Sequence, residues 1–292
     1  MTTNLKKFVP GRYVQNLLCP GMGVGWFEAV PSCQRAVEIA VAALKDDGYE
    51  LAKFSVPDTW VAFRLAVKAL FSDNQQGWLE SMNYEDVDDS VKTNYKLAKT
   101  PLFLRKCLSK IISLKWPMEG HALGSYVENL NDLRFTFADI KKYRGDFVQS
   151  LVDQGIDAIV CPAFTFPAIP PSWCTDLSAA FFYTCIYNLL DLPAGVVPVT
   201  HVSPQDIEQL AYYPRSILNG QKTDSLPFSR APFYSYIRRA VEEAGTGLPV
   251  DVQVVSLPFR EEHCLKIMAQ IEKCVDFKQF EKQAKGLVKF NP

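Results

Sequence analysis

Nowhere in the 292 residues do two glycines stand side by side, and no Gly-x-Ser-x-Gly occurs. That removes the strained nucleophile turn used by many serine hydrolases. Histidine is scarce: there are three, at 121, 201 and 263, far apart in the chain. The eight cysteines (19, 33, 107, 161, 174, 185, 264 and 274) contain no C-x-x-C and no spacing paired with histidine. That pattern argues against a zinc site, and no metal or other cofactor is expected. No apolar stretch reaches the ~18 residues of a membrane span. The opening MTTNLKKFVPGRYVQ lacks the apolar core of a signal peptide. Any membrane contact is therefore expected to be peripheral. A basic excess is missing as well: 31 Lys and Arg stand against 32 Asp and Glu, which argues against nucleic acid as a partner.

What is present is an ordinary globular composition, 48% apolar, enough for one large domain or two small ones. Cys161, Cys185 and Cys264 sit in apolar runs and read as buried thiols, which favours a reducing, cytoplasmic setting. Residues 1–21 are expected to form an irregular lead-in, and residues 276–292 a loose charged tail. Gly21, Gly23 and Gly25 do not place a glycine at a helix start as a dinucleotide fingerprint needs, because Trp26 and Phe27 are expected to continue the segment as a strand.

Periodicity gives the elements between. Ser32 is expected to cap a helix carrying Ala36, Val37, Ala40, Val41 and Leu44 on one face. A short strand at 50–56 follows, then a helix opened by Pro57 and Asp58. Its Trp60, Phe63, Leu65, Val67, Leu70 and Phe71 read as core. Residues 133–154 form a long helix stopped by Gly155, and DAIVC at 157–161 is a buried strand. The proline-rich AFTFPAIPPSW after it is expected to line a pocket at the strand's carboxyl end. Residues 176–190 read as an apolar helix, 237–244 as another, and VDVQVVSL at 250–257 as a strand. The last helix, 260–274, should turn Leu265, Ile267, Met268 and Ile271 inward. His201 reads as a surface or capping residue.

Between Val91 and Met118 there is no acidic residue but seven bases. Pro101 opens PLFLRKCLSKIISLKW, an amphipathic helix within a cap segment at 100–116. Arg105, Lys106, Ser109, Lys110 and Ser113 share one face; Phe103, Leu104, Cys107, Leu108, Ile111 and Ile112 share the other. Such a helix suits a lipid interface, although the pattern alone better fits a surface helix packed on its own domain.

The organising stretch is Tyr187 to Val202, YNLLDLPAGVVPVTHV. Leu189 and Leu190 close a helix, Pro193 stops it, and Ala194 and Gly195 permit close approach of two backbones. Val196, Val197 and Val199 suit a strand buried on both faces. Pro198 within that strand marks a bulge or an edge.

DLPAGVVPVT closely resembles the late strand segment of the amidase-signature enzymes, in particular the fatty-acid amide hydrolases. Four further blocks match in order: MGVGWFEAVPS (22–32), YRGDFVQSLVDQGIDAIVCPAF (143–164), GLPVDVQVVSLPF (247–259) and REEHCLKIMAQIE (260–272). The resemblance covers roughly 22–275, with a looser insert at 205–235. It implies an α/β fold: a mixed sheet built from strands near 22–28, 50–56, 157–161, 195–202 and 250–257, with helices on both faces. It covers the carboxyl-terminal half of such an enzyme. The family's catalytic lysine and two serines lie in the other half, the nucleophile within a serine- and glycine-rich run that this sequence lacks, so no catalytic residue is assigned. The resemblance also implies that Phe181, Cys185 and Tyr234 line an acyl channel, and that Phe103, Leu104, Arg105, Lys106 and Lys110 meet an intracellular membrane peripherally. A long-chain acyl amide and a membrane surface are the implied partners, and a homodimer is compatible with them. Two rival readings stand beside this one: a non-catalytic lipid-binding or interaction module, and a truncated product whose open sheet edges fold poorly.

Overall fold

The computed structural model describes residues 12–16, 28–54, 56–88, 90–114, 120, 123–174, 176–214, 231–275 and 277. Among them is a mixed sheet of five strands: β1 (Arg12–Asn16), β2 (Glu50–Phe54), β3 (Ile156–Pro162), β4 (Ala194–His201) and β5 (Pro249–Ser256), in the order β2-β1-β3-β5-β4. β1 runs parallel to β2 and β3, while β5 is antiparallel to both β3 and β4.

The inner strands β3 and β5 read as near-continuous apolar runs because both of their faces are covered. Side chains alternate along β3. Ala158 and Val160 enter one hydrophobic cluster, Ile159 and Cys161 the other. The first cluster packs under helices α1 (Pro31–Asp46), α9 (Ala231–Ala244) and α10 (Glu261–Val275), through Ala36, Ala40, Leu44, Ile237, Ile267 and Ile271. The second lies under α2 (Thr59–Leu70), α6 (Leu130–Asp153) and α7 (Phe182–Leu189), through Phe63, Phe147, Ile186 and Tyr187. The expected mixed sheet with helices on both faces is thus observed. Further helices among the described residues are α3 (Gln76–Ser81), α4 (Lys92–Lys99), α5 (Leu102–Ser113) and α8 (Pro204–Gln209).

Several boundaries follow their capping chemistry. The Asp58 carboxylate accepts from the Val61 N–H at the start of α2. Asn129 accepts from the Asp132 N–H at the start of α6, and Gly155, at φ 65°, follows its end.

Other expectations are corrected. The lead-in supplies β1, which lies between β2 and β3. Its RYVQN carries no alternation, so its strand character comes from its two partners. The strand expected near 22–28 falls outside the described residues except for Glu28, which is in a loop, and the tail from 278 also lies outside them. Ser32 is no cap: Val30 occupies that position, Pro31 takes the first turn, and Ser32 is buried inside the helix. The helix expected over 176–190 begins as a 3-10 turn at Ser178–Phe181, and only Phe182–Leu189 is α-helical. The Thr165 hydroxyl donates to the Ala180 carbonyl at 3.0 Å and ties that turn to the segment after β3. Leu70 is exposed, as is Leu265, since the inward stripe of α10 is Cys264, Ile267, Ile271 and Val275.

β4 is a sheet edge, not a strand buried on both sides. Val197 and Val199 are buried, while Ala194, Val196 and Pro198 face out. The register slips between Pro198 and Thr200, so the proline sits where the ladder can spare a donor. Gly195 does allow a close approach, but by a side chain: Met268 of α10 fills the space where a Cβ would stand.

Candidate functional site

The basic segment folds with Arg105 and Ser109 inward. Arg105 is 3% exposed and lies beneath α5. Its Nε donates to the Thr100 carbonyl at 2.7 Å, Nη2 donates to the Ala98 carbonyl, and the guanidinium stands 4.8 Å from the centre of the Tyr126 ring. The Ser109 hydroxyl, also buried, donates to the Gly120 carbonyl at 2.6 Å. The apolar side chains point outward instead: Phe103 is 71% exposed, Ile111 63% and Leu114 88%, with Leu104 and Leu108 partly covered. Lys106 pairs with Glu128 at 2.7 Å, and Lys110 is exposed at the helix end. Of the five residues expected at a membrane, Phe103, Leu104 and Lys110 are at the surface. Lys106 is partly exposed and held in its ion pair, and Arg105 is sealed under the helix, where it serves the α4–α5 corner.

The three expected channel residues are not brought together. Phe181 and Cys185 share one side of the α7 segment and pack, half-buried, against the second cluster. The Phe181 ring lies 6.2 Å from Phe63, which in turn stacks on Trp60 at 5.8 Å. This forms an aromatic wall between α7 and α2. Burial pushes the Cys185 thiol up to about 12, so it is a neutral wall residue and a poor nucleophile. Tyr234 belongs to the other cluster, on the opposite side of the sheet. Its hydroxyl accepts from the Glu28 N–H at 3.3 Å, and its ring meets Tyr213 edge-on at 5.3 Å.

A cavity of about 470 Å³ opens at the carboxyl end of β3, where the proline-rich segment was expected to line a pocket. Residues 163, 164 and 166–169 form much of its wall, with Cys33 of α1, Cys174, Leu177 and the start of β5 at Pro249, Val250 and Asp251. Burial pushes the Cys33 thiol up to about 12 and raises the Asp251 carboxyl as well. Sequence reasoning did not single out Asp251. The available signal was one carboxylate set inside the apolar strand VDVQVV. His201 is not part of this wall; its ring stacks on Phe277 at 4.8 Å. No helix among the described residues is long and apolar enough to cross a membrane.

A five-stranded mixed sheet, helices on both faces and a bulged β4 in the segment PAGVVPVT define an amidase-signature α/β fold. The chain belongs to the amidase family, whose model matches residues 21–265. It is 32% identical to fatty acid amide hydrolase 1 of Caenorhabditis elegans over 271 residues, covering 92% of this chain and 43% of that protein. It is 27% identical to fatty-acid amide hydrolase 1 of Sus scrofa over 260 residues, covering 86% and 42%. A solved structure of fatty acid amide hydrolase shares the fold at a TM-score of 0.56 and 17% identity, over 92% of this chain and 41% of that one. The chain therefore spans about two fifths of the length of these relatives.

Proposed function

We propose that this chain is the acyl-binding and membrane-facing portion of an amidase that cleaves lipid amides, and that it has no hydrolytic activity by itself. The observation that carries the membrane reading is the orientation of α5. A surface helix ordinarily buries its apolar face; this one buries an arginine and a serine and leaves Phe103, Ile111 and Leu114 in solvent. Each such side chain gains roughly 1.5–3 kcal/mol on leaving water. The exposed Lys110 adds attraction for an anionic surface. On the inner side, Phe181, Cys185, Phe63 and Trp60 offer an apolar wall to an acyl chain. Hydrolysis by this family's chemistry needs a serine activated by a neutral base and backbone donors around the oxyanion, and the serine- and glycine-rich run that would supply them is not in this sequence.

A second reading, a lipid-binding module without catalysis, rests on the same exposed face. Sedimentation with phosphatidylserine-containing vesicles tests both readings. Wild type should bind, and Phe103→Ser/Ile111→Ser should lose most of that binding without loss of fold; equal binding would remove the membrane assignment. A fluorophosphonate serine probe together with an oleamide-like substrate tests the catalytic part. Labelling or turnover by the purified chain would overturn the inactive reading.

A further inference from the structure

The cavity at the end of β3 has apolar walls, Phe164, Phe166, Ile169 and Val250 among them, and a single carboxyl group, Asp251. We propose that it binds a small primary ammonium ion with an apolar body, an alkyl- or arylalkyl-ammonium, with Asp251 as counter-ion. The inference goes beyond the hydrolase reading and does not depend on it. Its volume of about 470 Å³ falls within the range of small-molecule sites. Val250 and Val252 on either side are buried in the core, so alternation turns Asp251 to the other, partly exposed face of β5. No Lys or Arg pairs with Asp251 among the described residues, and no Lys, Arg or His lines the cavity. The wall therefore repels an anionic ligand and accepts a cationic one. Burial makes the lone carboxylate costly, as its raised pKa records, and a bound ammonium would relieve that cost.

Three probes of one shape separate charge from shape: 4-phenylbutylamine, 4-phenylbutan-1-ol and 4-phenylbutanoate, titrated calorimetrically into the full chain at neutral pH. The amine should bind at least about tenfold tighter than the alcohol, and the acid weakest. In Asp251→Asn, the amine-to-alcohol ratio should fall to about one while the alcohol still binds. The amine should also slow alkylation of Cys174, which lines the cavity, and leave that of Cys107 on α5 unchanged. Equal affinity for amine and alcohol in wild type, a ratio that survives Asp251→Asn, or no amine binding at millimolar concentration would each overturn the proposal. Should Asp251→Asn fail to fold, Ala168→Trp, at an exposed wall position, decides the matter. It should block the amine, and undiminished binding would mean that the amine sits elsewhere.

Discussion

The guanidinium of Arg105 stands 4.8 Å from the centre of the Tyr126 ring, underneath the helix that carries it. A basic side chain in an exposed-looking stripe has become the internal strut of the α4–α5 corner, with the carbonyls of Ala98 and Thr100 as its acceptors. Arg105→Met should lower unfolding free energy by about 3 kcal/mol, since it removes hydrogen bonds to a charged donor and a desolvated cation–π contact. Lys110→Ala, on the open side of the same helix, should stay within about 0.5 kcal/mol of wild type. Urea denaturation of both variants measures the difference, and equal effects would mean that the inward orientation of Arg105 is not what holds the corner.

Arg35 joins α1 to α8 and β4 through one side chain. Its Nε and Nη2 donate to the two carboxylate oxygens of Asp206 at 2.9 and 2.7 Å, and its Nη groups reach Thr200 and the His201 carbonyl. Burial raises the Asp206 carboxyl, but hydrogen bonds from Arg35 and Ser203 outweigh it, and the net shift is downward. A depressed folded value means that the stabilisation is present above the unfolded carboxylate value, about 3.9, and is lost as pH falls through the folded one. Asp206→Asn should cost about 2 kcal/mol at neutral pH. Its deficit against wild type should shrink below about pH 4. Denaturation at neutral and acid pH reads this directly, and a deficit unchanged by acid would rule out the ionised carboxylate as its source.

Gly195 and Met268 share a space that holds only one of a Cβ and a thioether. Gly195→Ala should destabilise by about 1 kcal/mol, in the lower range of overpacking. In a Met268→Ala background the same change should cost less, because the displaced atoms are gone. A double-mutant cycle on thermal unfolding measures the coupling, and strict additivity would show that the methionine simply swings aside.

Much of the scaffold was legible in the sequence. Four of the five strands were placed to within a residue or two, because β3 and β5 are apolar runs bounded by proline, glycine and polar turns. The irregular position in β4 was announced by Pro198, whose missing N–H has no other reading inside a strand. The stops at Pro193 and Gly155 were equally local. β1 was not legible: five residues without alternation become a strand only when β2 and β3 approach from both sides. Tyr234 was expected on the same channel as Phe181 and lies across the sheet from it, a separation that depends on where α9 packs and not on anything in its own turn.

By itself, then, the amino-acid order determined the kind of fold, four of its five strands and their breaks, the family and the existence of a two-faced helix at 102–113. Which of that helix's faces looks out was decided only by tertiary structure. Periodicity divides a helix into faces but carries no information about the partner. Here the partner offers carbonyl oxygens and an aromatic ring, which take up a guanidinium and a hydroxyl and leave Phe103, Ile111 and Leu114 without cover. The same holds for Asp251: one carboxylate in a strand has no meaning until three distant segments close a cavity beside it.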